Sequence, residues 1–401
     1  MLRPNDLFGL IWRAYTFILI FTVFLSFSTE NSDSGFYQKY YAFLFLLSFL
    51  AAAPLLSEFL TYLYRNSTEV FLFSSLLGTM LVWNFIVSGF DPFYSIVVLI
   101  VALAGGTVFV LGRLRPRLMA SLIRAVIFVN IAGLLYQYFI FFATGEVIYL
   151  HGDLFTFSRD RYMLVILGGG FERFTGFQLE PGSYSTMIAL ALICYRSLVG
   201  KVDRTFVLGT LSVMLTFATV AMMYFAIFCL VILLEVKWSR PRNLFFALVG
   251  FFLVLGVLIG GGVIDSLTTR FSGGYEDDSS LNVKVLNLLS YTQFSFIEMI
   301  SGLGVEVIDL DCVGCNYVKS NGVIFYMLYS LGIVGLFTVL ALAIKTARNG
   351  VICLCLAVIL LLCRYPVITP VFWLVFLSLW TWVPKPIQAR RMSTSADPAP
   401  T

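Results

Sequence analysis

The sequence predicts an all-α protein that crosses a membrane about twelve times. Of its 401 residues, 60% are apolar and only 12% are charged, whereas soluble proteins carry roughly a quarter charged residues. Apolar runs recur at about the 20 residues that a helix needs to cross the hydrocarbon core. Lys and Arg collect in the short segments between these runs. This composition excludes a soluble enzyme, a disordered chain and a disulfide-rich secreted domain, and the dispersed basic residues do not form a nucleic-acid surface.

Most of the predicted helices follow one another with short connections. Three of the helices, the sixth, seventh and eleventh, are short for a membrane span. The stretch 206–234 could also form one long kinked helix. The first span follows Met1 without a small-residue cleavage site, so we expect a retained helix and not a signal peptide. The predicted spans are residues 7–27, 40–60, 70–87, 92–111, 122–143, 184–195, 206–218, 220–234, 244–264, 322–344, 351–363 and 367–383.

The distribution of basic residues predicts that both termini are cytoplasmic. With that orientation, most of the 26 Lys and Arg residues face inward, among them Arg113, Arg115, Arg124 and Arg196. Residues 1–392 then form a single integral membrane domain, and the polar tail 393–401 is expected to be a disordered cytoplasmic segment.

Two outer segments, about 144–183 and 265–321, are longer than helix connections normally are. Long loops on a rigid scaffold are where chemistry is usually placed, so we expect a site on the outer face of the membrane. Within the second loop, the apolar stretch 281–300 is interrupted by Lys284, Asn287, Gln293 and Glu298. It is read as a helix at the membrane interface, with a further partial span as the alternative.

In the first outer loop, Arg173 and Glu180 bracket a short motif that ends at Pro181. A guanidinium near the bilayer surface is a fixed positive charge whose donors fit a phosphate. Proline favours the first helical position, so Glu180 should stand at a helix start. The alternative is that neither residue has a catalytic role. Glu180 would then be a carboxylate favoured by the dipole at the helix start, and Arg173 an arginine that reaches the membrane interface. Arg159 and Arg161 add two guanidiniums to this loop, or form a solvated ion-pair patch.

The second outer loop contributes Arg270, followed by Ser279, Ser280 and Lys284. Basic residues from two separate loops could converge on one diphosphate, although a random distribution of charge would give the same pattern. At the end of this loop, Ser320-Asn321-Gly322 opens the next helix, and Ser or Asn is expected as its cap, with Gly in the first turn.

Three weaker signals remain in the outer loops. Asp309 and Asp311 have a spacing compatible with a divalent cation, but the pattern is common, and no metal is expected. Cys312 and Cys315 could form a small disulfide or stay free, since no second pair completes a zinc site. His151, the one histidine of the chain, is a potential acid or base but is more often incidental in a loop.

Taken in order, these motifs resemble the Wzy-type polysaccharide polymerases of the O-antigen ligase and polymerase superfamily. The resemblance covers roughly residues 125–340, while the N-terminal third is similar only in hydropathy. Two departures are Ser320, where the polymerases often carry an acid, and Lys284, where an Arg commonly follows the serines. Related ligases usually place a histidine at the start of the late helix, and none is present there. The motifs are Arg173-x-Thr175-Gly176-Phe177-x-x-Glu180-Pro181, Arg270 with Ser279-Ser280, Gly302-Leu303-Gly304, Asn321-Gly322, and Gly332-Ile333-Val334-Gly335-Leu336.

The resemblance implies a GT-C-like glycosyltransferase of the bacterial inner membrane that needs neither metal nor cofactor. Its donor and acceptor would be glycans linked to undecaprenyl diphosphate, as in lipopolysaccharide O-antigen synthesis, and a chain-length regulator is a possible partner besides the lipid bilayer. Arg173 and Arg270 would hold the diphosphate and Glu180 would act as base. The expected substrate-binding residues are Arg159, Arg161, Tyr184, Lys284 and Asn321.

Two rival functions stay open at this point. One is the ligase of the same superfamily. The other is a flippase or secondary transporter, because twelve spans is a common transporter count. Transporters place functional polar groups near the midplane in broken helices. The predicted spans hold few charges and the outer loops hold many, which favours chemistry at the surface.

Overall fold

The computed structural model describes residues 4–25, 34–87, 92–154, 166–167, 171–235, 294–304, 322–363 and 368–382. These residues form an almost entirely helical bundle, with a two-residue antiparallel pair, β1 (Ile166–Leu167) and β2 (Phe171–Glu172). The predicted span 244–264 and the tail 393–401 lie outside the described residues. The helices are α1 (Pro4–Val23), α2 (Ser34–Ala52), α3 (Leu56–Arg65), α4 (Ser67–Val87), α5 (Phe93–Leu114), α6 (Pro116–Thr144), α7 (Leu150–Leu154), α8 (Pro181–Val199), α9 (Arg204–Met214), α10 (Thr219–Glu235), α11 (Phe296–Ser301), α12 (Val323–Arg348), α13 (Val351–Leu362) and α14 (Pro370–Trp380).

The lengths and composition of the helices support the predicted membrane character of the chain. Six helical stretches are long and apolar enough to cross a bilayer, and the remaining predicted spans in the described ranges coincide with shorter apolar helices. The predicted count of about twelve is therefore not confirmed. The six stretches are Lys39–Arg65, Ser67–Val87, Phe93–Leu114, Pro116–Thr144, Pro181–Val199 and Val323–Arg348.

Several helix boundaries differ from those predicted, and local backbone chemistry explains them. Helix α8 is longer than the predicted span 184–195, because Pro181 fits its first turn and Gly200 ends it in the left-handed conformation. The alternative of one continuous helix over 206–234 is wrong, since α9 and α10 are separated at Phe217, which has φ 49°.

Helix α12 is broken in its middle. Gly332 has φ 52° and ψ −131°, so the chain turns sharply inside an apolar run that the sequence predicts as one straight span. At its start, the cap is Gly322 with φ 101°, without a side-chain cap. The prediction of Ser320 or Asn321 as the cap, with Gly322 in the first turn, is therefore wrong. A glycine is required because only it adopts this φ without strain.

The predicted interfacial helix over 281–300 also needs correction at its C-terminal end. Ser295 is extended, with ψ 158°, and caps the short helix α11 through a reciprocal pair of hydrogen bonds with Glu298. The prediction of a helix that runs without interruption through Ser295 is therefore wrong, because a serine in this conformation starts a new helix.

The core of the bundle surrounds α8, in which every residue from Tyr184 to Arg196 is buried. At the C-terminal end of α8, Arg196 pairs with Glu235 and lies over the Trp382 ring (5.5 Å). Next to Trp382 in the chain, Thr381 accepts from Arg113 (2.6 Å). Arg196 and Arg113 thus mark one end of the bundle, here called the basic end. The opposite end carries the start of α8 and the loop before it.

Candidate functional site

The segment 173–180, which enters α8, is buried in the bundle and held by a glutamine of α6. The Gln137 Oε1 atom accepts hydrogen bonds from the backbone N–H groups of Thr175 (3.1 Å) and Gly176 (2.7 Å). Its amide nitrogen donates to the Ile148 carbonyl (2.9 Å). One side chain thereby satisfies two buried loop donors, which would otherwise carry a desolvation penalty.

A second amide pair fixes the other half of the loop. The Gln178 amide donates to Asn130 Oδ1 (3.0 Å) and to the Phe24 carbonyl at the end of α1 (3.0 Å). Asn130 in turn donates to the Val126 carbonyl within α6 (2.9 Å). The loop is therefore bound to both α1 and α6, and all three amide side chains are completely or almost completely buried.

Apolar contacts close the loop against the same helix. Phe174 packs edge-on against Tyr138 of α6, with ring centroids 4.6 Å apart. Phe177 lies so close to Gly133 that a Cβ there would meet its ring at 2.6 Å. Gly176 adopts φ 57°, and an added Cβ would lie 3.0 Å from the Tyr184 ring. The glycines at both positions are thus needed for this packing.

Arg173 and Glu180 stand at the two ends of this buried loop, and both are half-buried. Glu180 is the extended N-cap residue of α8, next to Pro181 in the first turn, as the sequence predicts. Its Oε1 atom accepts a hydrogen bond from the Ser183 hydroxyl (3.4 Å). A carboxylate here lies at the positive end of the α8 dipole, which stabilises negative charge.

Tyr184 and His151 are both completely buried in the bundle. Tyr184 is completely buried and its hydroxyl has no hydrogen-bond partner among the described residues. The nearby Ser212 hydroxyl donates to the Gly209 carbonyl instead (2.8 Å). Tyr184 as a substrate contact stays a prediction, and in this structure its side chain has no access to solvent. His151 is also completely buried, with Nδ1 3.0 Å from the Phe177 carbonyl oxygen, so it supports the loop.

The other predicted site residues lie outside the described residues. These are Arg159, Arg161, Arg270, Lys284 and Asn321, together with Asp309, Asp311, Cys312 and Cys315. The convergence of Arg173 and Arg270 thus stays a prediction. Within the described ranges, no group of three or more His, Cys, Asp or Glu side chains lies together.

The residues that sequence reasoning missed are the amides that hold the loop. Asn130 and Gln137 lie seven residues apart in an otherwise apolar run, and this spacing places them on one face of a helix. Polar side chains inside a membrane-length helix usually face the bundle interior and mark a partner. That signal predicts a polar contact on this face of α6, although it does not identify Gln178 and the loop backbone as the partners.

The arrangement as a whole joins a guanidinium and a carboxylate through a short loop that is rigidly packed at both ends. A rigid support of this kind keeps charged groups in place while the charge on a substrate changes. Glu180 and Arg196 stand at opposite ends of α8, about 24 Å apart along the helix axis. The candidate site therefore lies at the far end of the bundle from the basic end.

Comparisons with known proteins give no match. No known family, no curated protein and no solved structure matches this chain.

Proposed function

We propose that this protein is a polysaccharide polymerase of the O-antigen type. It joins oligosaccharide repeats carried on undecaprenyl diphosphate, at the periplasmic face of the bacterial inner membrane. The observation that carries the proposal is the position of Arg173 and Glu180 at the two ends of one packed loop, at the end of α8 away from the basic end. The order of the motifs along the sequence supports the same function.

In this reaction, a hydroxyl oxygen of the acceptor sugar attacks the anomeric carbon of the donor repeat. The bond between that carbon and the diphosphate oxygen breaks, and its electron pair leaves with undecaprenyl diphosphate. Glu180 takes the proton of the attacking hydroxyl. Arg173, with Arg270 from the second loop, stabilises the charge that grows on the diphosphate, so that no metal is required. A single displacement of this kind inverts the anomeric centre.

The proposal extends to the surroundings of the site. Arg159, Arg161, Lys284 and Asn321 bind the sugar and diphosphate parts of the substrate, and a chain-length regulator acts as a partner. Twelve spans, with both termini cytoplasmic, place the loop before α8 in the periplasm. Cysteines introduced singly at Glu146 and Arg117, in a background in which Cys312 and Cys315 are replaced by Ser, test this topology. A membrane-impermeant thiol reagent added to whole spheroplasts should label the first and not the second.

The direct test of activity uses the purified protein in vesicles with lipid-linked repeats and no nucleotide or metal. The wild type should produce a polymer ladder. Arg173→Ala and Glu180→Gln should each lower the rate by about 100-fold or more. Matched controls are Glu146→Gln, an exposed carboxylate of the same loop, and Arg117→Ala, an exposed guanidinium near the basic end. A ladder of unchanged length from Arg173→Ala would reject the assignment.

A second candidate function, lipid-linked oligosaccharide transport, is favoured by one observation. Helix α12 is broken at Gly332 within a membrane-length apolar stretch, and broken helices are characteristic of transporters. In the same vesicles, movement of the intact substrate across the bilayer without any ladder would favour a flippase. Transfer of a preformed chain to a lipid A core acceptor, without chain growth, would favour the ligase.

A further inference from the structure

A lateral crevice lies between helices α3, α4, α5 and α14. It has a volume of about 270 Å³, and its walls are almost entirely apolar. Leu99 and Leu103 line it and are exposed, so it opens to the side of the bundle that faces the membrane. Its other walls include Phe59, Phe73, Gly106 and Trp380. An apolar opening of this size on a membrane-embedded surface is occupied by hydrocarbon and not by water.

The depth of the lateral crevice matches one leaflet of a bilayer. Its wall on α5 runs from Leu99 to Val110, which corresponds to about 16 Å along a helix axis. The hydrocarbon core of a bilayer is about 30 Å thick, so one leaflet accounts for about half of that. The crevice therefore has the length of an acyl chain that enters from one surface and ends near the midplane.

A polar pocket adjoins the crevice at the basic end of the bundle. This pocket has a volume of about 310 Å³ and is lined by Ser57, Glu58, Thr61, Tyr62, Arg65 and Leu114. Tyr62 lines both the pocket and the crevice. The apolar crevice thus continues into a polar pocket, just as the apolar acyl chain of a phospholipid continues into its polar headgroup.

The charges around the polar pocket favour an anionic headgroup. The Arg113 guanidinium lies over the Phe109 ring (5.2 Å) and donates to Thr381, and both of these partners line the crevice. Arg65 lines the pocket and is exposed.

Two acidic residues also face this region. Glu58 is bound by both terminal nitrogens of Arg115, each at 2.7 Å, and the exposed Glu69 lines the crevice. The guanidiniums at Arg65, Arg113 and Arg115 thus outnumber the carboxylates. Guanidinium groups bind phosphate oxygens with paired hydrogen bonds.

We propose that the lateral crevice and its polar pocket bind one anionic phospholipid of the surrounding leaflet. One acyl chain fills the crevice and the phosphate lies between Arg65 and Arg113. Because Arg113 belongs to the basic end, this lipid lies in the leaflet opposite the loop that ends at Glu180. It is therefore not the lipid-linked glycan of the proposed reaction, and the inference does not depend on that function.

The test is native mass spectrometry of the full chain released from nanodiscs that contain equal amounts of phosphatidylglycerol and phosphatidylcholine. The wild type should retain one phosphatidylglycerol. Gly106→Leu, which fills the crevice, should lower its occupancy about tenfold. Gly78→Leu, on α4 at a position with nothing within 4 Å of an added Cβ and outside the crevice walls, should leave it unchanged. Equal retention by both variants would overturn the proposal, as would a second copy of the chain or a polyprenyl lipid in place of the phospholipid.

The headgroup contact has its own pair of variants. Arg65→Gln should lower the preference for phosphatidylglycerol over phosphatidylcholine about tenfold, whereas Arg117→Gln, also exposed but outside both pockets, should not.

A measurement on the wild type covers the case in which Gly106→Leu does not fold. Phosphatidylglycerol with a photoreactive group on its acyl chain should label residues 99–110 and 377–381 above the other membrane-facing helices. Uniform labelling of all the membrane-facing helices would overturn the proposal.

Discussion

Gly302 and Gly332 pack backbone against backbone. A Cβ on Gly302 would lie 2.5 Å from the Ser330 carbonyl oxygen, and a Cβ on Gly332 would overlap the Ile300 carbonyl. Both residues have positive φ, 71° and 52°. Each of the two positions therefore requires glycine for two reasons: there is no space for a Cβ, and the backbone has a positive φ.

This contact repairs the break in α12. The turn at Gly332 removes the carbonyls of Tyr329 and Ser330 from the regular helical pattern, and the segment that follows α11 replaces their donors. Leu303 N–H donates to the Tyr329 carbonyl (2.7 Å) and Gly304 N–H donates to the Ser330 carbonyl (3.0 Å). Freed backbone groups inside a membrane protein must find such partners, so the two glycine motifs act as one structural unit.

Replacement of either glycine should destabilise the protein. For Gly332→Ala we expect a decrease of about 3 kcal/mol in the free energy of unfolding, because overpacking adds to the strain of a positive φ. Thermal unfolding in one detergent measures the effect. Gly78→Ala is the control: it lies within α4 with nothing near its Cβ position, and it should stabilise the helix by up to about 1 kcal/mol. If Gly332→Ala left the free energy of unfolding unchanged, the packing argument would be wrong.

The short helix α11 should depend on pH through Glu298. The Ser295 backbone N–H donates to the Glu298 carboxylate (2.7 Å), and the Ser295 hydroxyl oxygen accepts from the Glu298 backbone N–H (3.3 Å). Hydrogen bonding by the Ser295 side chain and backbone holds the pKa of the Glu298 carboxyl below its ordinary value of 4.5. A lowered pKa means that the stabilisation is complete above about pH 4.5 and is lost as the pH falls through the lowered pKa. Above that range, hydrogen exchange of the α11 amides should be faster in Glu298→Ala than in the wild type, and the two should converge near pH 3. Equal exchange at pH 7 would show that the cap contributes nothing.

The sequence predicts the helical class, the membrane character and the helix start at Glu180, because each depends on local composition or on a neighbouring proline. It does not predict the break at Gly332, since a glycine inside an apolar run is also compatible with a straight helix. That break depends on a partner, the segment at Gly302, which lies far away in the sequence. The burial of Tyr184 is missed for the same reason, because its ring packs against the loop at Gly176 and lies near Ser212 of α9, neither of which is a neighbour in the sequence.

The loop before α8 should loosen when Gln137 is replaced. Gln137→Leu leaves the N–H groups of Thr175 and Gly176 buried without an acceptor, at about 1–3 kcal/mol each. We expect faster hydrogen exchange at Gly176 and a lower unfolding temperature. The control, Tyr136→Leu, changes an exposed side chain on the same turn of α6 and should shift the unfolding free energy by less than about 0.5 kcal/mol. Unchanged exchange at Gly176 would mean that the loop is held by its apolar contacts alone.

The buried pair of Arg196 and Glu235 should be strongly coupled. Their side chains are only 8% and 15% exposed, and Glu235 also accepts from the Val202 N–H (2.8 Å). Arg196→Met leaves the carboxylate buried without its partner, which should lower the free energy of unfolding by about 3–5 kcal/mol. The double variant with Glu235→Met should recover part of this loss, because two apolar side chains of similar volume remove the unpaired charge.

The pair of Arg115 and Glu58 provides the matched control for this cycle. It has two hydrogen bonds of 2.7 Å, but its side chains are 42% and 44% exposed. Water already solvates both groups, so the same double-mutant cycle should give a much smaller coupling energy than the buried pair. Reversible unfolding in mixed detergent micelles measures both cycles. If they gave equal coupling energies, burial would not determine the strength of these ion pairs, and the basic end would be held by the packing around Trp382 instead.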